Sequence, residues 1–256
     1  MVYNFLSLKI ERRIPLWLFI IISSLLFTSL GFFLGAYIHP LLLLILTSIP
    51  VYPIYLSQFK VKWYWKAIAY VFIWATTISV VIIFLTMMRP SLAVRAVLEG
   101  VPYQEEMFSW IATGVGAEVD PSTFIPQHLI NATVFTTLSL ATGGFLALLF
   151  GAYQMNYMNF YVGILLSRVT NPTYNNLIMV ALLSWPIYAI IRVVGFIFIG
   201  LSMTIPMASR IWDVRVDRRP LIKFLFVGMI LVGVDIVLKV VLAPLYQNLL
   251  HKLVST

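Results

Sequence analysis

Six long apolar runs, nearly free of charge, divide this chain: Ile14–Tyr37, Leu41–Tyr55, Trp65–Met88, His128–Ala152, Asn176–Pro206 and Leu221–Leu249. A helix needs about 20 apolar residues to cross a hydrocarbon layer. Lipid offers the backbone no hydrogen-bond partners, so segments of this kind form helices that satisfy their own amides. Of the 256 residues, 61% are hydrophobic and 10% charged, against about 25% charged in a soluble domain; the mean hydropathy is +0.98. The reading is an all-α, polytopic integral membrane helical bundle. It has about six transmembrane helices, alternatively seven, plus a short interfacial or re-entrant helix. One transmembrane domain covers 1–256, and 89–127 forms a non-cytoplasmic loop with short helices inside it.

Charge placement gives the expected topology. The net charge of +8 fits an excess of Lys and Arg on cytoplasmic loops, and so gives little support to nucleic-acid binding. Lys9, Arg12 and Arg13 precede the first run, which is too long for a cleaved signal and reads as a retained anchor. Lys60, Lys62 and Lys66 mix with Trp63, Tyr64 and Trp65 as an interfacial band on the same side as the N-terminus. The expectation is a multi-pass protein of the cell membrane with a cytoplasmic N-terminus. His39-Pro40 reads as a hairpin tip, and Pro50 and Pro53 as kinks in the second helix. Met155–Arg168 is too short to span alone and reads as the interfacial or re-entrant piece. If it does not cross, the basic turn Arg210–Lys223 falls on the outer side, against the positive-inside rule. Two ways out stay open: the short piece crosses, or Asn176–Pro206 is a broken pair bent near Trp185-Pro186.

Small and amide side chains mark expected packing positions. Asn131 and Gly143-Gly144 fall on the fourth run, where the glycine pair permits a bend or close helix approach. Asn156, Asn159, Gly163 and Ser167 share one helical face.

Charge inside apolar runs is the main chemical signal. Arg192 lies about halfway along Asn176–Pro206, and Asp235 and Lys239, one turn apart, lie near the centre of the last run. A charge at that depth costs at least a few kcal/mol, so it faces protein or trapped water and has a partner. The three form either a docking network that neutralises itself or a substrate or proton path. A second constellation is Glu105, Glu106 and His128, with Glu118 and Asp120 nearby, which has the residue types of acid–base chemistry. Its alternative is a solvated acidic loop in which Glu99 pairs with Arg95. The absence of cysteine excludes disulfides and thiolate metal sites. No metalloprotease helix, phosphate loop or nucleophile elbow is present, and no metal or cofactor is expected.

The run from Asn131 to Met203 resembles the stage II sporulation protein M family of membrane proteins. The likeness rests on Asn131, Gly143-Gly144, Asn156, the stretch Phe160–Ser167, Leu183–Arg192 and the spaced Gly195 and Gly200. It implies a non-enzymatic membrane component, in some relatives a partner in envelope-remodelling complexes, and transfers no site residues. The first functional expectation is therefore a membrane scaffold or accessory subunit without catalytic activity. Its expected partners are the lipid bilayer and other membrane subunits or a second copy. The alternatives are a permease or lipid-handling protein using Arg192, Asp235 and Lys239, and an intramembrane enzyme using Glu105, Glu106 and His128.

Overall fold

The computed structural model describes residues 15–213 and 218–254. Lys9, Arg12, Arg13, Arg215 and Asp217 lie outside the described residues. Every described element is a helix, apart from one isolated bridge between Val169 and Val254.

The chain begins with α1 (Leu16–Tyr37), turns at His39-Pro40 and returns through α2 (Leu41–Ser48) and α3 (Val51–Lys60). Pro50 removes one backbone donor and separates α2 from α3, while the backbone there keeps helical angles, so the pair is one kinked rod. The helix α4 (Tyr64–Met88) follows, then the short α5 (Pro90–Ala96) and α6 (Gly100–Thr113). Next come α7 (Pro121–Thr142), α8 (Phe145–Ser167), α9 (Tyr174–Ser184), α10 (Ile187–Trp212) and α11 (Arg218–Leu253).

Five of these segments are long and apolar enough to cross a membrane: α1, the α2–α3 rod, α4, α10 and α11. Their outward faces carry large apolar side chains such as Leu26, Val80, Phe84, Phe226, Val237 and Val241, all exposed. A surface of that kind is built for lipid rather than water.

Two ends of the bundle can be told apart. Tyr64 and Trp65 at the start of α4 pack on Phe224 of α11. Lys60, Lys62, Lys66, Arg210, Arg219 and Lys223 therefore gather at one end, the basic end. At the other end α5, α6 and α9 form a cap. At 1.5 Å per residue, α11 is roughly 54 Å long, well beyond a hydrocarbon core of about 30 Å. Its excess length enters the cap, where the Gln247 side-chain amide donates to the Ile111 carbonyl at 2.7 Å.

The expected fourth span, His128–Ala152, is not one helix. Gly143 and Gly144 both adopt positive φ, 61° and 88°, and reverse the chain between α7 and α8. A Cβ on Gly144 would lie 2.7 Å from Thr204 Oγ1, so this turn needs glycine for its dihedrals and for its close approach to α10. Met155–Arg168 is accordingly not a separate interfacial piece: through Ser167 it is the C-terminal half of the 23-residue α8. Both α7 and α8 run between the two ends of the bundle. The Thr142 carbonyl meets the Tyr52 hydroxyl, and Phe145 packs on Tyr52, near the basic end. The residues just past α8 reach the cap at the Val169–Val254 bridge.

Asn156, Asn159 and Gly163 are buried on α8 where it packs on α4, and Asn159 donates to Ser79 Oγ at 3.0 Å. Ser167, at the end of the same face, is exposed.

The start of α7 is fixed by Asp120. Its carboxylate accepts from the Ser122 amide at 3.0 Å and from the Ser122 and Thr123 hydroxyls. The Thr123 hydroxyl, then the Ser122 hydroxyl and amide, hold this carboxyl below its ordinary value. A depressed carboxyl stabilises the fold above its ordinary titration range, and that contribution is lost as pH falls through the lowered value. The amides of Ser122–Phe124 are therefore expected to exchange faster at acid pH, and in Asp120→Ala at neutral pH, by hydrogen exchange.

Candidate functional site

A cavity of about 330 Å³ runs from the cap toward the basic end, walled mainly by α4, α7, α8 and α10 and completed by residues of α3, α6 and α11. The face of α7 that lines it is His128, Asn131, Phe135 and Ser139, at helical spacing. From α10 come Arg192, Phe196 and Gly200, from α8 Ala147, Gly151 and Tyr157, and from α4 Val71, Trp74 and Ala75. The wall is divided by chemistry. Charged groups and Tyr103, Tyr153 and Tyr157 lie toward the cap, while Val71, Leu148, Phe196, Ile197 and Leu201, with Tyr55, line the part toward the basic end. In that apolar part the fully buried Ser139 hydroxyl has no hydrogen-bond partner.

The buried charges sit on this wall. Arg192 Nη1 donates to His128 Nε2 and lies 3.9 Å from Asp235 Oδ2. Arginine has no acceptor, so Nε2 accepts, and a neutral His128 then carries its proton on Nδ1. That atom is 3.3 Å from Asp235 Oδ2, close enough to pair but off the hydrogen-bond line. Asp235 is fully buried and accepts no hydrogen bond from either oxygen. Its compensation comes through the nearby guanidinium and imidazole.

Lys239 does not take the carboxylate one turn away. Its ammonium donates to Glu118 Oε1 at 3.0 Å and lies 4.7 Å over the Phe124 ring. The second Glu118 oxygen accepts from the Tyr188 hydroxyl at 3.5 Å. The expected Arg192–Asp235–Lys239 group is thus two linked pairs, each completed by a residue from elsewhere in the sequence. Glu118 is 121 positions from Lys239, and no spacing rule connects them.

Depth also differs from the sequence expectation. The break at Trp185-Pro186 starts α10 at Ile187, so Arg192 lies in its second turn, near the cap, instead of midway along a span.

No family model, no curated protein and no solved structure matches this chain.

The second constellation is divided by the fold. Glu106 and His128 both line the cavity, whereas Glu105 points outward and is exposed. Partial burial, with a smaller effect from Glu118 and opposition from Lys239, pushes the Glu106 carboxyl up from its ordinary value. Glu99 and Arg95 form no ion pair among the described residues. Among the described residues no three His, Asp or Glu side chains gather as metal ligands. Sequence reasoning did not single out the tyrosines. Tyr103 and Tyr157 stand with ring centres 4.7 Å apart, and Tyr153 and Tyr157 5.3 Å apart. Their only signal in the sequence was the i, i+4 spacing of Tyr153 and Tyr157.

Proposed function

We propose that this chain is a permease or lipid-handling protein of the cell membrane, and that its cavity takes one small amphiphile. The observation that carries the reading is that Arg192 and Lys239 line an open volume of about 330 Å³ with an apolar continuation. A sealed docking network would leave no such space. Ligand cavities fall in the range of about 300–1,000 Å³ and combine apolar walls with a few polar groups that fix orientation. The unpartnered Ser139 hydroxyl adds a free polar group to the apolar part.

In this reading α7 and α8 cross the bilayer with the five more apolar segments, making seven crossings. The basic end faces the cytoplasm, because Lys and Arg concentrate there and the acidic Glu99, Glu105, Glu106 and Asp120 lie at the cap. The N-terminus is then cytoplasmic.

Gly151 supplies the test. Gly151 and Phe135 both line the cavity, and a Cβ at Gly151 would be in ordinary contact with the Phe135 ring, 3.6 Å away, so a larger side chain there enters the lined space. Purified in mild detergent, the wild type is expected to retain one amphiphile per chain by native mass spectrometry. Gly151→Phe, which fills the space, is expected to retain less than a tenth as much. Equal occupancy in the two proteins, or none in either, overturns the proposal.

A scaffold or accessory subunit is the second reading. One observation favours it: Lys239 stands against Glu118, and Arg192 and His128 against Asp235, so that charge faces opposite charge as in a docking network. The acid–base reading has less support, since His128 is already engaged at Nε2 and faces Asp235 at Nδ1.

A further inference from the structure

The charges on the cavity wall do not cancel. Lys239 is matched by Glu118 and Arg192 by Asp235, at 3.0 and 3.9 Å. Glu99 and Glu106 also line the cavity, and neither has an ion pair among the described residues. Two carboxylates are left over, both at the cap end. The same cavity is lined by Tyr103, Tyr153 and Tyr157; the ring centres of Tyr103 and Tyr157 are 4.7 Å apart in a tilted arrangement, and those of Tyr153 and Tyr157 5.3 Å apart, edge-on. Glu99 acts electrostatically on the Tyr153 phenol; at Tyr157, among the charged side chains, the Arg192 guanidinium acts most strongly, followed by Glu118 and then Glu106.

Aromatic faces attract a cation through their quadrupole, and a cluster of rings with nearby carboxylates is how proteins hold quaternary and primary ammonium groups. An anionic head would meet the two unmatched carboxylates here, while Arg192 and Lys239, the cations among the described lining residues, already stand against Asp235 and Glu118. A divalent metal would need converging oxygen or nitrogen ligands, and the described residues provide no such group.

We infer that the cap end of the cavity, formed by Glu99, Glu106, Tyr103, Tyr153 and Tyr157, is a subsite for an ammonium head group whose alkyl tail occupies the apolar part. This rests on the cavity reading above and adds the chemical class of the head. A free alkylammonium and the choline head of a phospholipid share that chemistry.

The test compares heads on one tail length. Decyltrimethylammonium, decanoate and decanol are titrated calorimetrically into the purified protein in a non-ionic detergent. The expected result is that the ammonium compound binds at least about tenfold more tightly than decanoate. In Glu99→Gln/Glu106→Gln that preference is expected to vanish while decanol binding stays within about twofold. Both glutamates are exposed at the cap, and a thermal melt verifies that the variant folds. Tyr157→Leu is expected to weaken the ammonium compound several-fold without changing decanol. Decanoate binding as tightly as the ammonium compound, or a preference that survives the double substitution, overturns the subsite and leaves the cavity reading standing. Failure of all three compounds overturns both. Decanoyl lysophosphatidylcholine identifies the source: affinity matching decyltrimethylammonium supports a lipid head group, and at least tenfold weaker affinity supports the free amine.

Discussion

Lys239→Met is expected to lower the unfolding free energy by about 3–5 kcal/mol, and adding Glu118→Leu to restore most of that loss. Lys239 is almost fully buried, and its ammonium sits 3.0 Å from Glu118 Oε1. Removing the lysine alone leaves a half-buried carboxylate on the cavity wall, with the Tyr188 hydroxyl as its remaining hydrogen-bond partner among the described residues. The desolvation of that charge is then uncompensated. Removing both charges replaces a costly pair with apolar volume, which proteins often tolerate or prefer. Glu118 lies in the connection between α6 and α7, so the single substitution is also expected to loosen the cap over the cavity. Reversible unfolding in detergent, run on both single variants and the double, measures the coupling. A single-variant loss below about 1 kcal/mol would mean that the pair is screened like a surface ion pair, and this account of the site would not stand.

Much of the architecture could be read directly from the runs of apolar residues. Helices over Leu16–Tyr37 and Tyr64–Met88 follow from their length and near-lack of charge, and Pro50 marks a kink. The run Asn176–Pro206 was legible as apolar, but it is two helices, Tyr174–Ser184 and Ile187–Trp212, parted at the Trp185-Pro186 break that the sequence offered only as one of two alternatives. The break at Gly143-Gly144 was visible only as a choice between bend and close packing. Both glycines take positive φ there, and at Gly144 Thr204 and Tyr55 on neighbouring elements also leave no room for a side chain. That choice depends on residues about sixty and ninety positions away, which no local pattern contains. The site shows the same division. That Arg192, Asp235 and Lys239 need partners follows from burying charge. That the partners include His128 and Glu118 does not, because α7 and the α6–α7 connection reach α11 only through the whole fold. The spacing of Asp235 and Lys239 favoured an internal pair. Tertiary packing overrode it, since Glu118 offers Lys239 a direct hydrogen bond that the same-helix carboxylate does not make.

The position of the charged groups depends in turn on how closely α10 and α11 approach, and Gly228→Ala is expected to expose that dependence. A Cβ at Gly228 would stand 2.7 Å from Ile199 Cγ1, 2.8 Å from the Gly195 carbonyl oxygen and 3.0 Å from the Ile199 amide nitrogen. Two of those three atoms are backbone and cannot rotate away, so the helices must separate. Overpacking of this kind costs about 1–3 kcal/mol, and in lipid there is little hydrophobic drive between helices to offset it. Gly233 on the same helix is the control. Nothing lies within 4 Å of a Cβ there, so Gly233→Ala is expected to be neutral or to stabilise by about 0.5–1 kcal/mol. The two substitutions are chemically identical, and only their surroundings differ. Gly228, Val232, Asp235 and Lys239 follow one another on one face of α11, and Gly195 lies one turn from Arg192 on α10. Moving α11 outward at Gly228 therefore lengthens the 3.9 Å approach of Arg192 to Asp235. Loss of stability in Gly228→Ala should then be accompanied by weaker binding in the cavity. Equal stability of the Gly228 and Gly233 variants would show that α10 and α11 are not held at this distance by their glycine contact.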